Sequence, residues 1–227
     1  MKQEQVKEHF ARQADEYEKL MVRLIPQYLE QHQIIYSLLP NNDKNHRVLD
    51  LGCGNGILSE LVYQKLPDSH ITGFDLTESM LKAFKRELSK YSGKFELKQG
   101  DFRTDSIGNK YDIIIAGLTL HHLTWEEREK FYKTLYSSLN EGGLFIARDI
   151  IIDENRDVAD DQYGYWKEFM KSQGEDPDFW YSRHIEKDYP ITLTDHFAWL
   201  RKAGFSKVAC QWRLYNFAVT TAEKKNI

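Results

Sequence analysis

Residues 48–56 read Val-Leu-Asp-Leu-Gly-Cys-Gly-Asn-Gly, and an acid follows at Asp75. A β-branched and apolar run enters an acid-plus-three-glycine turn, which opens directly into a helical stretch. Gly52, Gly54 and Gly56 remove side chains where backbone must bend sharply and lie close to a ligand. A second apolar run, Ile71-Thr72-Gly73-Phe74, delivers Asp75 at its end. A carboxylate placed there can accept both hydroxyl hydrogens of a ribose. Together the two segments read as a device for holding a nucleoside across the carboxyl ends of neighbouring parallel strands. A ligand-free glycine turn is the alternative for the glycines alone, and Asp75 weakens it.

The spacing narrows the ligand. The dinucleotide fingerprint puts glycines at its first, third and sixth positions, so that a pyrophosphate sits on the helix N-terminus. Here the glycines fall at every second residue and Asp50 lies inside the turn. Asp50 would repel an anion and welcome a cationic group. Farther on, His121 and His122 are acid–base candidates, because a His near its ordinary pKa can take the proton that an attacking hydroxyl or amine must lose. At most one of them is expected to face substrate, with His122 slightly preferred. Capping of the next helix is the plainer role for the other.

Alternating elements must position these groups. Residues 3–40 read as helical, broken at Pro26, with a second helix over 27–39. Strands are predicted at 47–51, 70–74, 94–98, 111–116 and 144–150. Helices are predicted at 57–65, 77–90, 125–139 and 195–203, with Thr77, Thr124 and Thr194 as N-caps. Residues 140–143 read as a turn. Two closing strands, 207–213 and 214–220, have no helix between them, so the last must run antiparallel. The expected fold is α/β: a doubly wound, seven-stranded, mostly parallel sheet in one domain spanning 1–227. Residues 1–40 form an N-terminal helical cap. Residues 153–190 form an inserted lid of one or two helices over the ligand-binding edge.

Composition sets bounds. The 227 residues carry 31 Lys/Arg against 35 Asp/Glu, a net charge of −4 that argues against a nucleic-acid partner. Two cysteines are too few for a disulfide framework or a metal cluster, and Cys53 reads as a packing residue. The N-terminus lacks a signal peptide and no apolar run is long enough to span a membrane, so a cytoplasmic protein without a membrane partner is the expectation. The 153–190 segment holds eight aromatics, with eleven acids against five Lys/Arg. Trp166, Trp180 and Tyr181 are its candidate substrate contacts, and the acid excess hints at a cationic or ring-bearing substrate. The same rings could equally serve a homodimer interface.

The 48–56 segment resembles motif I of the class I S-adenosylmethionine-dependent methyltransferases, and the resemblance covers most of the chain. Their cofactor carries an amino group and a sulfonium and no phosphate. The resemblance implies that Asp50 acts on the methionine amine, Asp75 on the ribose, and Leu76 on the adenine face. Asp101 would accept from the exocyclic amine, with the Phe102 backbone N–H on a ring nitrogen. Ala116, Gly117 and Leu118 would border the methionine arm. Phe10 and Tyr17 look like a gate helix over the cofactor, and Tyr28 would reach the methionine end. The signature of amide and base-nitrogen methylation, Asn/Asp-Pro-Pro-aromatic, is absent after the fourth strand. The implied activity is methyl transfer to an oxygen, nitrogen or sulfur of a small molecule. The C-terminal stretch from Leu193 to Phe217 is similar to the bacterial carboxy-S-adenosylmethionine synthase family, which makes such a synthase or a tRNA-modification enzyme the alternative. Trp199 falls where that family has its carboxylate-gripping arginine, so the similarity reads as shared ancestry rather than shared reaction.

Overall fold

A computed structural model describes residues 16–42 and 44–226. Phe10 lies outside them. The chain starts with α1 (Glu16–Leu24) and α2 (Tyr28–Leu38), separated at Pro26. Then come β1 (Arg47–Leu51), α3 (Ile57–Lys65), β2 (His70–Asp75), α4 (Glu78–Glu87), β3 (Phe95–Gln99), β4 (Tyr111–Gly117) and α5 (Trp125–Ser138). The rest is β5 (Leu139–Ile152), α6 (Arg156–Ser172), α7 (Pro177–Lys187), β6 (Ile191–Thr192), α8 (Leu193–Ala203), β7 (Ser206–Leu214) and β8 (Phe217–Glu223).

The sheet order is β3-β2-β1-β4-β5-β8-β7. The first five strands are parallel, while β8 pairs antiparallel with both β5 and β7. Strands buried on both faces read as continuous apolar runs, and their alternate residues sort to opposite layers. Val48, Ile113 and Ile115 pack with Leu61 and Val62 of α3 and Phe84 of α4. Leu49, Ile114 and Ala116 pack with Phe131 and Leu135 of α5 and Leu200 of α8. A third cluster sits at the carboxyl edge of β5, where Leu24, Ile25 and Tyr28 meet Tyr163, Trp166 and Met170 of α6. Strand order reverses between β1 and β4, so the crevice for a ligand lies above those two tips.

Local differences from the sequence reading have physical causes. An eighth, two-residue strand, β6, adds to β5 at Ile151 and Ile152. The cap of α8 is Thr192, whose hydroxyl accepts the Asp195 N–H at 3.0 Å, and not Thr194, which lies inside the helix. Residues 140–143 are not a free turn. They belong to β5, whose pairing with β4 shifts register between Tyr111 and Ile113. α4 stops at Glu87 and a 3-10 turn covers Ser89–Tyr91. The 153–190 segment carries two helices, α6 and α7.

Candidate active site

The glycine turn leaves β1 with all three glycines at positive φ: +64° at Gly52, +53° at Gly54 and +88° at Gly56. Their reasons differ. A methyl on Gly52 would fall 2.3 Å from Thr119 Oγ1, and one on Gly56 would strike Phe84 at 2.7 Å. These two glycines admit protein neighbours. A methyl on Gly54 would meet none of the described atoms within 4 Å, so this is the glycine that faces open space. The Gly54 N–H donates to Asp75 Oδ2 at 3.0 Å, and the Thr77 N–H and hydroxyl donate to Oδ1. This fixes the carboxylate at the tip of β2, beside an exposed Leu76.

Asp50 lies one strand over and is buried, with Ser59 donating to its Oδ2 at 2.6 Å. Burial pushes its carboxyl up to about 7, and the charge of Asp75 adds to the rise. The nearby cation is Arg148 on β5. Its guanidinium is buried, 4.6 Å from the centre of the Tyr28 ring, and its Nε and Nη1 have no hydrogen-bond partner among the described residues. Its Nη2 comes within 3.3 Å of where a Gly117 methyl would stand. A buried carboxyl poised near neutrality and a buried guanidinium with unspent donors are each costly alone. An α-amino acid zwitterion between them would satisfy both. Together with the open face at Gly54, this is how the chain's own residues fit the nucleoside amino acid inferred from sequence. Sequence reading misses Arg148 because an arginine inside an apolar strand has no local signature of a ligand.

The other members of the expected set are scattered. Both Asp101 oxygens are engaged by Arg103, whose bidentate bond lowers the acid's pKa. The Phe102 ring lies against Phe131, 5.1 Å between centroids. The Ala116 side chain is in the core below the sheet. Tyr28 is buried under Arg148 and edge-on to His32 at 4.3 Å. Cys53 is buried, and burial raises its thiol pKa.

A cavity of about 350 Å³ opens beyond the tips of β4 and β5. Tyr17, Leu118, His121, His122, Trp166 and Trp180 all line it. Tyr181 is not among its lining residues, and its ring packs on Tyr163 at 5.3 Å. The two histidines divide their roles. His121 is buried and donates Nδ1–H to Asp149 Oδ1 at 2.6 Å. The opposite oxygen of Asp149 is bound by the buried Arg128. Burial alone would raise the Asp149 pKa, but Arg128 and His121 hold it below the usual range. This pins His121 through Nδ1 and places its Nε2 3.8 Å from Asp188 Oδ1. His122 is exposed and donates to Asp188 Oδ1 at 3.0 Å, while His184 donates to Oδ2 at 2.8 Å. The buried Asp149–Arg128 pair therefore orients His121 more firmly than Asp188 orients the exposed His122. Atoms of His121, His122 and Asp188 also come within 4.8 Å of one another, close enough for a divalent ion, which sequence reading does not anticipate. Asp149 carries a weaker signal, being an acid three residues before the carboxyl end of β5. Asp188 carries none, because it reaches the site from the far end of α7.

A methyltransferase-domain family model matches residues 48–143. With the strand order, the glycine turn and its two strand-tip acids, this match supports a class I S-adenosylmethionine-dependent methyltransferase. S-adenosylmethionine is accordingly its cofactor. Among particular proteins, the chain is similar along nearly its whole length to carboxy-S-adenosyl-L-methionine synthases. It is 28% identical to that of Nautilia profundicola and 26% identical to that of Campylobacter hominis, with 93% of this chain and 92% of the relative covered in each case. Among solved structures it resembles an O-methyltransferase family 2 protein from Planctomyces limnophilus bound to apigenin (TM-score 0.65, 20% identity). It also resembles human N-acetylserotonin methyltransferase bound to S-adenosylmethionine (TM-score 0.63, 19% identity). The match covers 99% and 100% of this chain but 62% and 61% of those chains. This likeness is one of fold.

Proposed function

We propose that this protein transfers a methyl group from S-adenosylmethionine to an oxygen, nitrogen or sulfur of a small molecule held in the cavity beyond β4 and β5. The observation that carries the reading is the Arg128–Asp149–His121 chain, which orients through Nδ1 a histidine that lines that cavity. Asp50 and Arg148 hold the amine and carboxylate of the cofactor's methionine end, and Asp75 takes the ribose hydroxyls. Leu76 covers the adenine. Asp101 reaches the base only if Arg103 yields it. When bound, the cofactor supplies an electrophilic methyl on a sulfonium. His121 accepts the proton that the acceptor loses, and Asp149 stabilises the resulting imidazolium. Trp166, Trp180 and the α6–α7 segment act as a lid that excludes water.

The curated relatives favour a second reading, synthesis of a carboxylated cofactor. Against it, Trp199 stands where that family's arginine is expected, and it packs against the core beneath the sheet rather than lining the cavity. Mass spectrometry of ligand released from purified protein separates the two. S-adenosylmethionine or its homocysteine product supports methyl transfer, and a carboxylated cofactor supports the synthase. Calorimetry showing no heat with S-adenosylmethionine or S-adenosylhomocysteine would end both.

A further inference from the structure

We propose that the acceptor is an anion with an apolar body, whose carboxylate is held at the cavity rim by Arg183 and Lys187. This deepens the methyl-transfer reading and rests on it. The floor of the cavity is apolar, formed by Leu24, Ile25, Leu118, Ile150, Trp166 and Phe217. Such a floor asks for an apolar body, and a volume of about 350 Å³ asks for a small one.

The rim asks for a charge. Arg183 and Lys187 lie four residues apart on α7, so they share one helical face, and both line the cavity. Neither is paired with an acid among the described residues, whereas Arg23, Lys167 and Arg213 pair with the segment's Glu175, Asp178 and Asp153. The Arg183 guanidinium rests near the Phe179 and Trp180 rings, 5.5 and 5.9 Å from their centroids. These contacts limit its freedom and leave its fork of donors for a planar anion.

Of the described acids, Asp188 alone lines the cavity. Both its oxygens are occupied, by His122 and His184. The acid excess of the 153–190 segment resides on residues such as Asp157, Asp160, Asp161, Glu168, Asp178 and Glu186. These are exposed and do not line the cavity. The field inside the cleft is therefore opposite in sign to the segment's average. A cationic acceptor, at which the composition hints, would meet two unpaired cations at the entrance.

The test is a matched panel of hydroxybenzoates and their neutral carboxamides. Binding is followed by tryptophan fluorescence in the presence of S-adenosylhomocysteine, with wild type, Arg183→Gln, Lys187→Gln and the double variant. Both positions are exposed, and thermal unfolding checks that the variants remain folded. Wild type should bind carboxylates about tenfold tighter than carboxamides. That preference should shrink with salt and fall below about threefold in the double variant, while S-adenosylhomocysteine affinity holds. Carboxamides binding as tightly as carboxylates in wild type would overturn the proposal. So would a preference that survives in the double variant, or binding of no panel member while S-adenosylhomocysteine binds. Wild type failing to bind S-adenosylhomocysteine would instead strike the methyl-transfer reading, and this proposal with it.

Discussion

Replacing Asp50 by Asn should make the empty protein more stable at alkaline pH and make cofactor binding insensitive to pH. Burial moves this carboxyl from its ordinary 3.8 to about 7, helped by the charge of Asp75 and opposed by hydrogen bonds from Ser59 and by Arg148. A carboxyl that holds its proton more tightly when folded favours folding at low pH. The advantage disappears as pH rises from the unfolded pKa through about 7, where ionisation in the buried site becomes costly. A rise of that size corresponds to about 4 kcal/mol between the two limits. Asn keeps an acceptor for the Ser59 hydroxyl but leaves amide N–H groups without an assigned partner, a cost of about 1–3 kcal/mol. The net gain at about pH 8 is then about 1–3 kcal/mol, or roughly 2–10 °C in Tm for a chain of this size, and it should vanish or reverse near pH 5. Urea or thermal unfolding of both proteins across that range measures it. Calorimetry with S-adenosylhomocysteine supplies the second readout. Wild-type affinity should rise about tenfold per pH unit below 7 and level off above, as an ionised Asp50 becomes available to the ligand's ammonium. The variant should bind weakly and without that slope. Unfolding profiles that run parallel from about pH 5 to 8, or a wild-type affinity flat in pH, would refute the reasoning.

Replacing His121 by Asn should lower kcat by about 10²–10⁴ while leaving S-adenosylhomocysteine affinity within about twofold, and His122→Ala should cost far less; steady-state kinetics decide, and equal losses would remove the distinction. Arg148→Met should weaken S-adenosylmethionine about 10–100-fold with Tm unchanged or raised, because it deletes a buried cation whose Nε and Nη1 lack partners among the described residues; unchanged affinity by calorimetry would dissociate Arg148 from the cofactor. The glycines should separate in the same way. Gly52→Ala forces a methyl to 2.3 Å from Thr119 and should cost at least about 2 kcal/mol by urea titration, whereas Gly54→Ala should lose mainly cofactor affinity, with about 1 kcal/mol of backbone strain.

Much of the fold was legible because its signals are local. The apolar runs of β1, β2 and β4, the Thr124 capping box before α5 and the helix over 57–65 each depend on residues within a few positions of one another. The errors are local too. Thr192 and Thr194 are equally good caps by type, and in the folded chain it is the Thr192 hydroxyl that meets the Asp195 N–H. The antiparallel ending followed from the shortness of the β7–β8 link, since a two-residue connection leaves no room for a crossover.

Along the chain, residue type and spacing carried the parallel sheet, the glycine turn and the acids at the tips of β1 and β2, because each is encoded within a single βα unit. Pairings across long sequence separations were out of reach of such patterns. Folding joined His121 to Asp149, set Asp188 between two histidines and turned the acids of α6 and α7 outward, leaving Arg183 and Lys187 facing the cavity. Composition counts every charge in a segment equally, but a ligand responds to those on the face it meets, and that face exists only once α6 and α7 have docked against the strand tips.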